Sequence, residues 1–376
     1  MIPITKPFFD NKEIEAVKKV IKSGWIVQGN KVKEFEEMVA RYIGAKYAIA
    51  VSSCTAGLHL SLEALGIGID NEVIIPSFTF AATANVVENQ KAKTVFVDIE
   101  PDTFNIDASK IEKVITKNTK AIMPVHLFGL SANMAEIVKI AKKHNLSIIE
   151  DAACALGTKY KGKHIGTFGS TGCFSFHPRK AITTGEGGMV VTNNKKMAEK
   201  LISLRDHGSD VSDFKRHKSD SFNLPDHSLA GFNYRMTDIQ AAIGVEQMKK
   251  LPLILKERKR IAENYNKAFK NVPYLLTPPI NNSNHTYQSY ILKIKEKRND
   301  LAKFLIRNNI SSRPGTQSVP HLSYYKNKYG YNEKDFNLSF SVEKTTLTLP
   351  LYVGMKRKDQ DFIINKIKYF FHELKK

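Results

Sequence analysis

Cysteine is scarce in this chain of 376 residues: Cys54, Cys154 and Cys173 are the only three, far apart and in no metal-ligand spacing. Their scarcity excludes a disulfide-stapled secreted fold and a cysteine-based zinc site, and it fits a reduced, cytoplasmic compartment. No uninterrupted apolar run approaches the roughly 20 residues that span a bilayer, so no membrane association is expected. The first residues, Met1-Ile2-Pro3-Ile4-Thr5-Lys6-Pro7, carry no charged-then-apolar leader pattern. Neither GxGxxG nor Walker spacing follows the apolar runs, which argues against a dinucleotide or nucleoside-triphosphate loop. Internal repeats and low-complexity tracts are also lacking. What is plentiful is lysine: Lys and Arg total 57 against 37 Asp and Glu, a formal charge of +20. These lysines are spread along the whole chain on solvated helix faces, and Asn and Ile are abundant too. A chain-wide compositional bias explains this better than a nucleic-acid footprint.

With 42% hydrophobic and 25% charged residues, the chain is long enough for one large core and a smaller second unit. Asp10-Asn11-Lys12-Glu13 has capping-box spacing, and Ile14, Val17, Val20 and Ile21 follow at helical intervals to a stop near Ser23-Gly24. A second helix is predicted from Lys31 to Tyr42. Seven short apolar runs then alternate with helical segments: 47–51, 72–76, 94–98, 121–125, 146–151, 172–176 and 188–192. This predicts an α/β fold with a mostly parallel, seven-stranded sheet covered on both faces, with sites at the strands' carboxyl ends. Ser209 to Ser228 is a polar, charge-mixed stretch, read either as a lid or partner-facing loop or as plain decoration. A helix through Ile239, Ala242, Ile243 and Val245 is expected to break at Pro252. The Lys256 to Phe269 helix then leads into a smaller α+β unit, whose last helix is amphipathic through Ile363, Ile364, Ile367, Phe370, Phe371 and Leu374. The predicted domains are 1–250 and 251–376, with the N-terminal segment packing on the smaller one.

Four constellations carry candidate chemistry. Ser52-Ser53-Cys54-Thr55-Ala56-Gly57 lies between a strand and a helix, where backbone N–H groups form either a phosphate cradle or an ordinary N-cap. Glu150 and Asp151 end a strand and alternate to opposite faces, so one of them can reach a ligand and pair with a pyridinium nitrogen, unless both serve as salt bridges or caps. Lys180 follows the Gly172–Phe176 run and precedes Gly185-Glu186-Gly187-Gly188, a poor setting for a solvated lysine. It is the candidate to hold pyridoxal phosphate (PLP), with burial and Arg179 expected to lower its pKa. Of Phe78 and Phe80, one is placed to stack on a planar ring, and core packing is the alternative for Phe78.

These segments occur together with Pro124-Val125-His126-Leu127-Phe128-Gly129, Ser175-Phe176-His177-Pro178-Arg179-Lys180 and Gly231-Phe232-Asn233-Tyr234-Arg235-Met236, in an order that resembles the DegT/DnrJ/EryC1/StrS family of PLP-dependent nucleotide-sugar aminotransferases. The resemblance covers nearly the whole chain. It implies the fold type I aminotransferase architecture and a homodimer with shared active sites. It makes Lys180 the Schiff-base lysine and proton shuttle, and Asp151 the partner of the pyridine nitrogen. Thr55, Ala56 and Ser175 become phosphate ligands, Phe80 the stacking residue, and Asn233 a phosphate ligand reaching in from the neighbouring subunit. Two positions depart from the family. Cys154 stands where Gln or His is usual near the cofactor's phenolic oxygen, and a thiol is a weaker donor. In Pro314–His321, Pro320 takes the place of a common substrate-facing histidine, leaving His321 as a displaced candidate. The implied reaction moves an amino group from L-glutamate to a 3- or 4-keto group of a nucleotide-linked deoxysugar, for surface polysaccharide or glycoside synthesis. The alternatives are a cyclitol (keto-inositol) aminotransferase and a non-catalytic regulatory or DNA-binding protein on the same fold. Because Lys180 is not histidine, the family's dehydrating branch is disfavoured.

Overall fold

The computed structural model describes residues 1–210, 226–279 and 285–373. Most of the polar stretch between Ser209 and Ser228, and Leu374 of the last helix, lie outside the described residues. The strands, in order, are β1 (Tyr47–Val51), β2 (Glu72–Pro76), the two-residue β3 (Phe78–Thr79), β4 (Lys93–Val97) and β5 (Thr119–Ile122). Next come β6 (Ser147–Asp151), the short hairpin of β7 (Lys159–Tyr160) and β8 (Lys163–His164), then β9 (Thr171–Ser175) and β10 (Gly188–Thr192). The seven predicted runs form a single sheet in the order β1-β10-β9-β6-β5-β2-β4. The fourth run is shorter than expected: β5 ends at Ile122, before Pro124, which has no N–H for a ladder, and Val125 returns only as one bridge to Asp151.

Pairing is parallel between β4, β2, β5, β6 and β9, whereas β10 runs antiparallel to both β9 and β1. Six strands therefore share one direction, and their carboxyl ends line one edge of the sheet. Both faces are covered. Ile74, Ile122, Ile148 and Phe174 enter one core, while Val73, Ile75, Ile149 and Cys173 enter the other, as the two-residue strand period requires.

The capping box at Asp10 and Glu13 forms as expected and starts α1 (Asn11–Ser23), and α2 (Asn30–Ile43) follows. No side chain of its own caps α2. Asp238 supplies the cap from the start of a long helix, Asp238–Phe269, accepting from the N–H groups of Gly29, Lys31 and Val32 at 2.8, 3.1 and 2.9 Å. The expected break at Pro252 does not occur, because this helix runs straight through it. Pro252 lies on the exposed side, where the backbone carbonyl it leaves unpaired one turn earlier can face water. The helix joins two cores. Val245, Met248 and Leu251 pack beneath the large sheet, and Ile261, Tyr265 and Phe269 pack in the C-terminal core with Leu292, Leu347 and Ile363. Residue 250, the expected domain division, thus lies inside one continuous helix.

The C-terminal unit holds a three-stranded sheet of β11 (Leu275–Leu276), β12 (Tyr290–Ile294) and β14 (Thr346–Leu349), closed by the amphipathic helix Arg357–Glu373. Its strand β13 (Gln317–Ser318) leaves that sheet and pairs with β3. At the amino terminus, Ile2 bridges to Ile310, so the first residues pack on this unit. Among the described residues, no helix is long and apolar enough to cross a membrane.

Candidate active site

Strand register gathers the predicted residues at one edge. Val51 pairs with Gly188, Gly188 pairs with Ser175, and Asp151 pairs with Cys173 two residues before Ser175. β10 begins directly against the turn after β1: a Cβ on Gly188 would lie 2.4 Å from the Ser53 carbonyl carbon and 2.5 Å from the Cys54 nitrogen. Only glycine permits that approach, which brings the Ser53 turn and Ser175 to adjacent rows.

Phe176 continues the β9 alternation inward and packs on Phe35 of α2, with ring centroids 4.9 Å apart. The segment between Phe176 and Gly187 is closed at its base. The Phe176 N–H donates to the Gly187 carbonyl at 2.9 Å, and the Phe176 carbonyl accepts from Thr184 N–H and Thr183 Oγ1 at 3.0 and 2.7 Å. Lys180 sits on a tight turn in this loop, with its N–H on the His177 carbonyl at 2.8 Å. Its Nζ reaches back to the sheet edge and donates to Cys154 Sγ at 3.2 Å. The pKa departs from expectation. Burial does favour the neutral amine, but Cys154 with its hydrogen bond, then Cys54 and Asp151, outweigh burial and raise Lys180 above the ordinary lysine value. Arg179 is exposed one residue earlier and does not reverse this balance.

The two strand-end carboxylates divide as alternation requires. Glu150 is fully buried and is a structural hub. Its Oε1 accepts from the N–H groups of Phe168 and Gly169 at 2.6 and 2.9 Å, and its Oε2 accepts from Gly166 N–H at 2.7 Å. His126 completes the set: its Nδ1 accepts from Ala132 N–H at 3.1 Å, so the proton sits on Nε2, which donates to Glu150 Oε2 at 3.1 Å. Glu150→Gln would set an amide NH₂ against backbone donors in either orientation. The expected loss is about 4 kcal/mol, read as a lower urea midpoint, and a loss under about 1 kcal/mol would remove Glu150 from this role. Asp151 faces the other way. Its Oδ2 accepts from Thr83 Oγ1 at 2.8 Å and its Oδ1 from Ala153 N–H at 3.1 Å. Sequence reasoning missed Thr83. It is a buried threonine on helix α4 (Ala81–Asn89), and its only signal is a hydroxyl among apolar neighbours.

The remaining candidates surround these two groups. Ser53 caps α3 (Cys54–Ala64), its Oγ accepting from Ala56 N–H at 3.1 Å, so the Ala56 amide already has a partner while Thr55 is exposed at the helix N-terminus. Ser175 is half-buried and its Oγ accepts weakly from His177 N–H at 3.4 Å. Phe78 is wholly buried, whereas Phe80, at the N-cap of α4, is 68% exposed, which leaves Phe80 as the ring available for stacking. Asn233 is exposed, and the next residue holds it near the cradle: the Tyr234 carbonyl accepts from Ser52 N–H at 2.8 Å. β13 lies beside Phe80 through its pairing with β3. His321, just beyond, has both ring nitrogens engaged, Nδ1 with Ser318 Oγ at 2.8 Å and Nε2 with the Asn332 carbonyl at 3.0 Å.

This donor set fits PLP: an amine held by one soft thiol contact, a carboxylate steadied by two donors, a helix N-terminus and an exposed aromatic ring. Known proteins agree. SpsC of Bacillus subtilis, a spore coat polysaccharide biosynthesis protein, is 37% identical over 98% of this chain and 96% of its own length. Spr1654 of Streptococcus pneumoniae superposes in its PMP form with a TM-score of 0.94 at 28% identity over 99% of this chain and 100% of its own. Its PLP form superposes with a TM-score of 0.92 at 29% identity. Helicobacter pylori PseC, an aminotransferase involved in pseudoaminic acid biosynthesis, gives a TM-score of 0.91 at 28% identity over 99% of both chains. Residues 7–368 match the DegT/DnrJ/EryC1/StrS aminotransferase family, which leaves only the two ends of the chain outside the match: the protein belongs to that family and is a PLP-dependent aminotransferase.

Proposed function

We propose that the protein transfers an amino group from L-glutamate to a 3- or 4-keto group of a nucleotide-linked deoxysugar, in amino-sugar synthesis for a surface polysaccharide or glycoside. The observation that carries this reading is the convergence of Lys180 Nζ, Cys154 Sγ and the Asp151 carboxylate at one sheet edge. PLP, when bound, supplies an electron sink for the carbon that exchanges nitrogen. Asp151 is oriented by Thr83 and Ala153 to hold a proton on the pyridine nitrogen. Thr55, Ala56 and Ser175 lie where a phosphate would meet the positive end of α3. Phe80 offers its exposed face to the ring. Lys180 Nζ removes a proton from the donor carbon and returns one to the acceptor carbon, and Cys154 holds that nitrogen in place between the two events.

Support for a sugar acceptor comes from the polysaccharide and pseudoaminic acid roles named for SpsC and PseC. A cytoplasmic homodimer belongs to the same reading, with Asn233, exposed beside the cradle, completing the neighbour's site. The test is a panel of nucleotide-linked 3- and 4-ketosugars with L-glutamate, run beside keto-inositols and followed by mass spectrometry of the products. Amination of a nucleotide sugar is the expected result. Exclusive amination of a keto-inositol would replace this reading with the cyclitol one. Salt-dependent DNA binding by a protein that shows no PLP spectrum would replace both.

A further inference from the structure

An open cleft is lined in part by Ile4, Thr5, Arg179, Gln288, Arg313 and Thr348. Two of these are arginines, and among the described residues no carboxylate pairs with either guanidinium. Arg313 is half-buried, and its Nε is buried without a hydrogen-bond partner. Both residues are pinned through their backbones. The Arg313 carbonyl accepts from Thr348 N–H at 2.7 Å, and the Arg179 carbonyl accepts from Gln288 Nε2 at 2.7 Å. Gln288 is itself fixed, its Oε1 accepting from Ser289 Oγ at 3.1 Å.

Two unpaired cations facing one cleft make an arrangement that folding disfavours unless an anion is to arrive. Burial, then Arg179, holds the Arg313 pKa below its ordinary value, and Cys154 acts in the opposite sense. Arg179 also immediately precedes Lys180 in the chain.

We propose that Arg179 and Arg313 form the clamp for the carboxylate of the amino donor. The proposal rests on the amino-transfer reading above. A donor's α-carboxylate is bonded to the carbon whose nitrogen must come to Lys180, so its clamp has to stand beside that lysine. The phosphates of a nucleotide sugar are separated from the keto carbon by the sugar ring, and they need their cations farther away. Arginine's planar fork is the side chain that holds a carboxylate through two parallel hydrogen bonds.

The experiment compares PLP-loaded wild type with Arg313→Gln and Arg179→Gln in two half-reactions. One adds L-glutamate and follows loss of the cofactor's visible absorbance. The other adds the nucleotide ketosugar accepted by the wild type to the pyridoxamine form and follows its return. Half-saturating glutamate should rise roughly 10- to 100-fold in each variant, with the ketosugar half unchanged and partial recovery in Arg313→Lys. Unchanged glutamate dependence in both glutamine variants overturns the clamp while amino transfer stands. A wild type that glutamate does not convert overturns the clamp and the donor assignment together. Loss confined to the ketosugar half assigns the pair to the nucleotide phosphates and overturns the proposal. Should Arg313→Gln fail to fold, Arg179→Gln, altered at an exposed side chain, decides the matter.

Discussion

Lys180→Ala protein should turn over about 10³-fold more slowly than wild type in the complete amino-transfer reaction, because the group proposed to move protons at the substrate carbon is gone. Among the described residues, the lysine side chain makes one hydrogen bond, to Cys154 Sγ at 3.2 Å. Its backbone turn and the closed base of its loop are formed by groups that the substitution leaves intact. The variant should therefore unfold within a few degrees of wild type and still take up PLP, but without the visible band of the lysine-bound cofactor. Initial rates under saturating substrates, with a spectrum of the reconstituted protein, provide the check. A loss smaller than about tenfold, or an unchanged visible band, would move the chemistry to another residue.

Asp151→Asn has the next largest expected effect, a fall of about 10² to 10³ in the same rate. Asparagine keeps the shape: its Oδ1 still accepts from Ala153 N–H, which now reaches Asp151 at 3.1 Å, and its NH₂ meets Thr83 Oγ1, which now donates to Asp151 at 2.8 Å and is free to turn its hydrogen to Thr79 Oγ1 at 3.0 Å instead. What it lacks is the negative charge proposed to favour a protonated pyridine nitrogen. The variant should retain its fold and its PLP while both half-reactions slow together. The adjacent Glu150→Gln should behave in the opposite way, losing stability before rate. If Asp151→Asn destabilised the protein as much as Glu150→Gln and left the rate per folded molecule unchanged, the two carboxylates would have been assigned the wrong way round.

Much of the fold was legible in the residues because buried strands have strong local signatures. Seven apolar runs became the seven strands of one sheet, and Asp10 with Glu13 announced α1 by spacing alone. Pro252 was misleading for a tertiary reason. A proline's missing donor ends a helix when its unpaired carbonyl is buried, whereas here that side of the helix meets solvent and the helix packs into a core on either side of the proline. The cap on α2 was invisible because its donors and its acceptor, Asp238, are about two hundred residues apart in sequence and meet only after folding.

The same division runs through the site. The sequence by itself determined which groups exist and which strand ends carry them: Lys180 in its glycine-bounded loop, two carboxylates of opposite facing, a hydroxyl-rich turn before a helix and a pair of phenylalanines. Only the tertiary structure decided among them. It sent Glu150 into a cage of four donors and turned Asp151 to Thr83 and Ala153, buried Phe78 and exposed Phe80, and set Cys154 against the lysine amine, reversing the expected shift of its pKa. It also brought Arg313 from the C-terminal unit to Arg179. The reason is range: periodicity and capping act over a few residues, whereas burial, charge and hydrogen-bond partnership depend on neighbours that lie far off along the chain.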